Sequence, residues 1–179
     1  MRTPRAPAAG ILPAVLCTLV LLTGCGGGPT APAWAASVCE ALAPWRLEIN
    51  ALTSSAQQQM TAQTTPAQAK ENLVRMMAGA EQASETARRG VADAGVPDVS
   101  QGEEVSRGFL DSLTEVRDAY GRARRTIEGL NIGQSGPFYD GVKAAVDTLN
   151  EEYDASALDT STLDSPELKQ AFDEVPECR

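Results

Sequence analysis

The chain has 179 residues, with 24 acidic and 15 basic side chains, a formal net charge of -9 and no histidine. Such an acidic surface repels nucleic acid and anionic headgroups, which disfavours both as generic partners. The missing histidine removes Ser-His-Asp and Cys-His catalytic sites and every His-dependent metal site, and with them the commonest general base.

Arg2 and Arg5 precede an uncharged run, Ile11 to Leu22. Its length suits the h-region of a signal peptide and falls short of a bilayer span. The run closes on Leu22-Thr23-Gly24-Cys25, which resembles the lipobox of bacterial lipoproteins, where the cysteine thiol receives a diacylglyceryl group and signal peptidase cuts just before it. That resemblance implies a signal peptide over residues 1–24, Cys25 as the lipidated first mature residue, and residence on the outer face of the cell membrane. The alternative is an ordinary secretory signal with an incidental cysteine.

Cleavage removes Arg2 and Arg5, makes the mature chain still more acidic, and leaves about 155 residues, enough for one domain and not comfortably for two. Cys17 leaves with the signal and Cys25 is blocked as a thioether. Cys39 and Cys178 then remain in an oxidising compartment, where only one pairing is open to them.

Residues 25–36 read as a lipid-anchored flexible tether, because Gly26 to Ala36 holds glycine and proline without an apolar period. Trp34 within it is either a residue that dips into the headgroup layer or an incidental linker aromatic.

A helical domain is expected over 37–179. Val38, Leu42, Trp45, Ile49, Leu52, Ala56 and Met60 recur at steps of mostly four and three, one face of a helix. Pro44 lies near its start if the helix begins around Ala41, or kinks it if it begins earlier.

Thr65-Pro66-Ala67-Gln68 predicts the start of a second helix, with threonine as N-cap, proline at the first position and glutamine completing a capping box. Its apolar face runs Ala69, Leu73, Met76, Ala80, Ala83, Ala87, Val91, and Gly95 with Pro97 beyond marks its end. Ser100-Gln101-Gly102-Glu103 predicts another capping box. Phe109, Leu113, Val116, Tyr120, Ala123, Ile127 and Leu130 then alternate by four and three, the strongest helical signal in the chain.

Asn131 to Pro137 reads as a turn, and a fourth helix carries Phe138, Val142, Ala145, Val146, Leu149 and Tyr153. Asp154 to Asp164 is polar and loop-like. Ser165-Pro166 opens a short fifth helix over Glu167 to Glu174, stopped by Pro176 just before Cys178.

Four amphipathic helices joined by short turns, with no competing strand pattern, predict an all-α, up-down-up-down four-helix bundle. That topology returns the end of the fourth helix to the level where the first begins. The short C-terminal helix can then be tied back by a Cys39–Cys178 disulfide.

Three groups of residues carry a further resemblance: Val38-Cys39-Glu40 with Trp45, Ala94-Gly95-Val96-Pro97-Asp98 with Gly102-Glu103-Glu104, and Leu163-Asp164-Ser165-Pro166-Glu167-Leu168 leading to Ala171-Phe172 and Pro176-Glu177-Cys178. Together they resemble an uncharacterised group of small helical lipoproteins exported by actinobacteria. The resemblance implies the same bundle and disulfide and carries over no activity.

Candidate chemistry is sparse. Ser165 and Lys169 lie one turn apart, but a cap role explains Ser165. Glu103-Glu104 and Glu151-Glu152 read as solvated faces. Asp154, Asp159 and Asp164 lack the spacing and glycine of an EF-hand loop. Trp45, Phe109, Tyr120, Phe138 and Tyr153 fall on core faces, where they either pack the interior or line a ligand cavity.

One local contrast is the run Arg117, Arg122, Arg124, Arg125 near the end of the third helix. Either it complements the helix dipole and terminal carbonyls, or Arg122, Arg124 and Arg125 form a partner-binding patch with Ile132, at the end of the bundle far from the anchor. The function expected is a non-enzymatic, membrane-anchored interaction or structural module that needs no cofactor and meets another envelope protein. The alternative is a carrier holding a small apolar ligand or lipid between its helices.

Overall fold

In the computed structural model, the described residues are 27–156, 163 and 165–179. The expected signal peptide over residues 1–24, Cys25, Asp159 and Asp164 lie outside them. The regular elements among the described residues are all helical: α1 (Ala31–Gln59), α2 (Pro66–Asp93), α3 (Gly102–Gly129), α4 (Ser135–Ser156) and α5 (Pro166–Glu174), followed by a 3-10 turn at Pro176–Cys178.

The first helix begins earlier than its apolar period suggests. Thr30 holds an extended backbone as N-cap, its carbonyl accepts the Trp34 N–H, and Pro32 sits in the first turn, where a missing N–H costs nothing. Ala31 to Ala36 are therefore helix, which corrects the tether reading for those residues. Trp34 is 0% exposed, and neither of the roles expected for it holds. Its indole packs edge-on against Phe109 (5.4 Å) and Phe172 (6.0 Å), while Nε1 donates to the Gly95 carbonyl at 2.9 Å. Burying that much aromatic area favours one more helical turn over a loose linker. Pro44 lies inside α1 on its exposed side, well past the first turn.

The α2 start follows the sequence expectation. Thr65 Oγ1 accepts from Gln68 N, and Gln68 Oε1 accepts from Thr65 N. Its buried face is Ala69, Leu73, Met77, Ala80, Ser84, Ala87 and Val91, so Met77 and Ser84 occupy the interior where Met76 and Ala83 were expected. Ser84 is tolerated there because its hydroxyl donates to the Ala80 carbonyl (2.8 Å) and accepts from Trp45 Nε1 (3.0 Å).

The capping box expected at Ser100 does not form. The α3 N-cap is Gln101, in the left-handed region at φ 65° and without a side-chain cap bond. The turn is closed by backbone instead. Gly95 adopts φ 75°, Asp98 N donates to the Pro29 carbonyl, Gly102 N donates to Val99, and Ser106 Oγ joins Trp34 on the Gly95 carbonyl.

Cross-helix bonds fix the directions. Trp34 reaches Gly95 and Trp45 reaches Ser84, Arg117 reaches Glu85 and Arg124 reaches Glu81, and Ser112 reaches Ser156 and Arg122 reaches Glu152, so each successive pair among α1 to α4 runs antiparallel. The ring expected of a regular four-helix bundle is not closed by backbone approach between α1 and α4. The backbone of α4 approaches α3 and, more sparsely, α2, while α5 and the 3-10 turn close on α1. Ser112 Oγ bonds the Ser156 carbonyl, so α4 stops about ten residues, or ~15 Å, short of the level where α3 begins.

The core follows this division. One large cluster joins Leu73, Met77, Val116, Tyr120, Ile127 and Leu149, a second joins Trp34, Val38, Val91, Phe109, Leu113 and Leu168, and a small third joins Ala35, Ala171 and Val175.

Candidate functional site

Chain entry and exit meet at one end of the molecule. Asp98 N donates to the Pro29 carbonyl at 2.9 Å, and a Cβ built on Gly28 would stand 1.9 Å from the Val96 carbonyl, so only glycine fits there. Cys25 itself lies outside the described residues, two positions before this docked segment. Within the first turns of α1, Cys39 is bonded to Cys178 with a Cα–Cα distance of 5.1 Å, the pairing expected from cysteine arithmetic. Ala35, Ala171 and Val175 pack around this staple. Ser165 caps α5 by accepting from Leu168 N, and Lys169 is exposed, so the pair forms a helix start and not a dyad.

The arginines expected to form a patch are largely spent inside the molecule. Arg122 pairs with Glu152 of α4 at 3.0 Å, and Arg124 pairs with Glu81 of α2 and Glu128 of α3, both at 3.0 Å. Two carboxylates beside Arg124 raise its pKa further. Arg125 is exposed and makes no ion pair among the described residues. Ile132 is 45% exposed. Of the three, only Arg125 is left without an ion pair among the described residues; the tip beyond α3 is partly apolar, at Ile132 and at Tyr139, the latter 38% exposed.

Helix-end capping does not account for the run either. None of these arginines lies in the last turn of α3; Lys70 of α2 reaches across instead and donates from Nζ to the Leu130 carbonyl at 2.9 Å.

Sequence reasoning missed the densest charge cluster. Glu85 accepts two bonds from Arg88, at 2.8 and 3.0 Å, one from Arg89 at 2.8 Å and one from Arg117 of α3 at 2.9 Å, while Arg117 also pairs with Asp118. The Arg88 hydrogen bonds, followed by those from Arg117 and Arg89, hold the Glu85 carboxyl well below the usual carboxylate range. Arg88 and Arg89 stand three and four residues after Glu85, which a sequence reading can find. Arg117 is 32 residues away and enters only through helix packing.

The expected core aromatics pack the interior. Phe109 and Phe138 are buried, Trp45 and Tyr153 border the core, and burial pushes the Tyr120 hydroxyl up to about 12. Among the described residues no buried side-chain nitrogen or oxygen lacks a hydrogen-bond partner, and no three His, Cys, Asp or Glu side chains are grouped to hold a metal ion. Surface concavities are grooves between helices. One of them, about 370 Å³, lies between α1 and α2 and is lined by Ala41, Pro44, Trp45, Gly79 and Ala83. No known protein family, curated protein or solved structure matches this chain.

Proposed function

We propose that this protein is an extracytoplasmic lipoprotein, held on the outer face of the cell membrane by a diacylglyceryl group on Cys25. Its helical domain acts as a non-enzymatic interaction or structural module. The observation that carries this reading is Leu22-Thr23-Gly24-Cys25 at the close of an apolar run that follows two arginines. The Cys39–Cys178 disulfide supports it, because such bonds persist in oxidising compartments. No described helix is long and apolar enough to cross a membrane, and lipidation would supply the attachment. The antiparallel run of α1 to α4 supports an up-down-up-down bundle as the scaffold. Arg125, Ile132 and Tyr139, at the end opposite the docked N-terminal segment, are the surface offered to an envelope protein partner.

Cys25→Ser is expected to abolish the lipid increment on intact mass and to block processing. Wild-type protein recovered from the medium, cleaved elsewhere and unlipidated, refutes the anchor. The α1–α2 groove beside Trp45 favours a second reading, a carrier of a small apolar ligand or lipid. Native mass spectrometry of protein from its own host separates the two by whether a lipid or a protein accompanies it.

A further inference from the structure

A lipid anchor is commonly imagined at the end of a slack tether, and three consecutive glycines at Gly26, Gly27 and Gly28 suggest one here. The packing is otherwise. Gly28 lies so close to the α2–α3 turn that a Cβ would strike the Val96 carbonyl, a Cβ on Gly27 would stand 2.8 Å from Asp98 Oδ2, and Pro29 accepts the Asp98 N–H. From Pro29 the chain enters α1 through Thr30, and by Trp34 it is buried. The segment thus lies against the α2–α3 turn along its described length, with Gly27, Gly28 and Thr30 on the surface.

Only two peptide links separate Gly27 from Cys25, a reach of at most ~7 Å. The headgroup layer of one leaflet is itself about 5–7 Å deep. A diacylglyceryl thioether on Cys25 holds that residue at the boundary of headgroups and acyl chains, so Gly27 and the turn it packs against cannot stand clear of the headgroups. Val96, on that turn and against Gly28, is an apolar side chain left 43% exposed.

We propose that the α2–α3 turn, Gly95 to Val99 with Val96 as its contact point, is a seat that rests on the lipid surface. This inference rests on the lipoprotein reading above. The seat fixes the molecule upright and not merely tethered. The helices then carry the α1–α2 and α3–α4 turns ~40 Å outward, by the rise of a 28-residue helix. Asp98 and the first-turn pair Glu103 and Glu104 surround this end with negative charge, so the surface it accepts is zwitterionic; anionic headgroups repel it.

The test uses the full-length chain, processed in a lipoprotein-competent bacterium, with Val96→Cys or Ile132→Cys labelled by a small fluorophore without reductant. Intact mass first verifies the lipid on Cys25. A missing increment overturns the anchor, and the seat with it. The lipidated proteins are then placed in phosphatidylcholine vesicles carrying a headgroup nitroxide quencher.

The Val96 label is expected to be quenched several times more strongly than the Ile132 label. A Gly/Ser spacer of about ten residues inserted between Gly26 and Gly27 should bring it down to the Ile132 level without releasing protein from the vesicles. Equal quenching of the two labels in lipidated protein, or Val96 quenching that survives the spacer, overturns the seat while leaving the anchor intact.

Discussion

The two ends of this helical body are held by different physics. Where the chain enters, Trp34, Phe109 and Phe172 form an aromatic trio, α5 lies over the start of α1, and Cys39–Cys178 ties the C-terminus down. At the opposite end the turns are closed by polar bonds. Thr64 Oγ1 donates to the Gln59 carbonyl, Lys70 reaches Leu130, and Tyr139 Oη lies 3.5 Å from the Thr64 carbonyl at the limit of hydrogen bonding. Both ends bury large apolar side chains, Phe138 and Ile127 at the far one, but only the entry end adds a covalent staple. The end carrying the proposed anchor is thus the one tied covalently, and the end free to meet a partner closes its turns without such a bond.

Truncating Trp34 should break this contrast most deeply. Trp34→Ala removes a fully buried indole and its hydrogen bond to Gly95, with an expected loss of about 3–5 kcal/mol in urea unfolding. Ile132→Ala at the other end should change stability by no more than about 0.5 kcal/mol. Comparable losses from both would show that the ends are not mechanically distinct.

Opening the disulfide comes next. The closed loop spans 139 positions. Chain entropy sets an upper guide of about 5 kcal/mol, and 2–4 kcal/mol is usual. Reduction should release α5 before the rest, because its 9 residues pack mainly on α1. Hydrogen exchange should show α5 amides losing protection while those of α2 and α3 keep theirs.

Midway along the body, Glu85→Gln should cost about 1–2 kcal/mol at neutral pH, since a neutral amide cannot satisfy three guanidinium groups. The Glu85 pKa is depressed below its ordinary 4.5. Its contribution is therefore fully present above that value and fades as pH falls through it toward the lower folded value. Wild type and variant should converge in stability as pH is lowered below about 4.5. A constant gap across that window would assign the loss to packing.

The smallest effect should come from Lys70→Met, which keeps the aliphatic stem and removes the bond to Leu130. About 0.5–1 kcal/mol is expected, read as faster amide exchange confined to the last turn of α3. Faster exchange at α5 instead would mean that the two ends are coupled.

Legibility in the sequence followed the range of the interaction. The Thr65-Gln68 box, the Ser165 cap and the α3 face from Phe109 to Ile127 rest on neighbours three or four residues apart, and each appears where the sequence puts it. Trp34 continues the four-residue step back from Val38. That signal was present at Ala31 to Ala36 but was outweighed by the prolines and glycines around it. Ser100 failed as a cap because the turn found better bonds in backbone, with Gln101 left-handed and Gly102 too close to Pro97 for a side chain. The ion pairs of the arginine run were illegible for a different reason: the partners of Arg122 and Arg124 on α4 and α2 lie 30 and 43 residues away.

The sequence by itself determined the helices and most of their inward faces, because periodicity is a local property of the backbone, and the Cys39–Cys178 pairing followed only once the proposed signal and lipid anchor set Cys17 and Cys25 aside. Tertiary structure alone decided that α4 leaves α1 to α5, that Arg122 and Arg124 are spent on cross-helix ion pairs while Arg125 is not, and that Gly27 and Gly28 lie against the α2–α3 turn. These outcomes depend on which surfaces approach when helices compete for the same apolar area. Such competition is settled by packing density and desolvation across the whole body, which no local window of sequence contains.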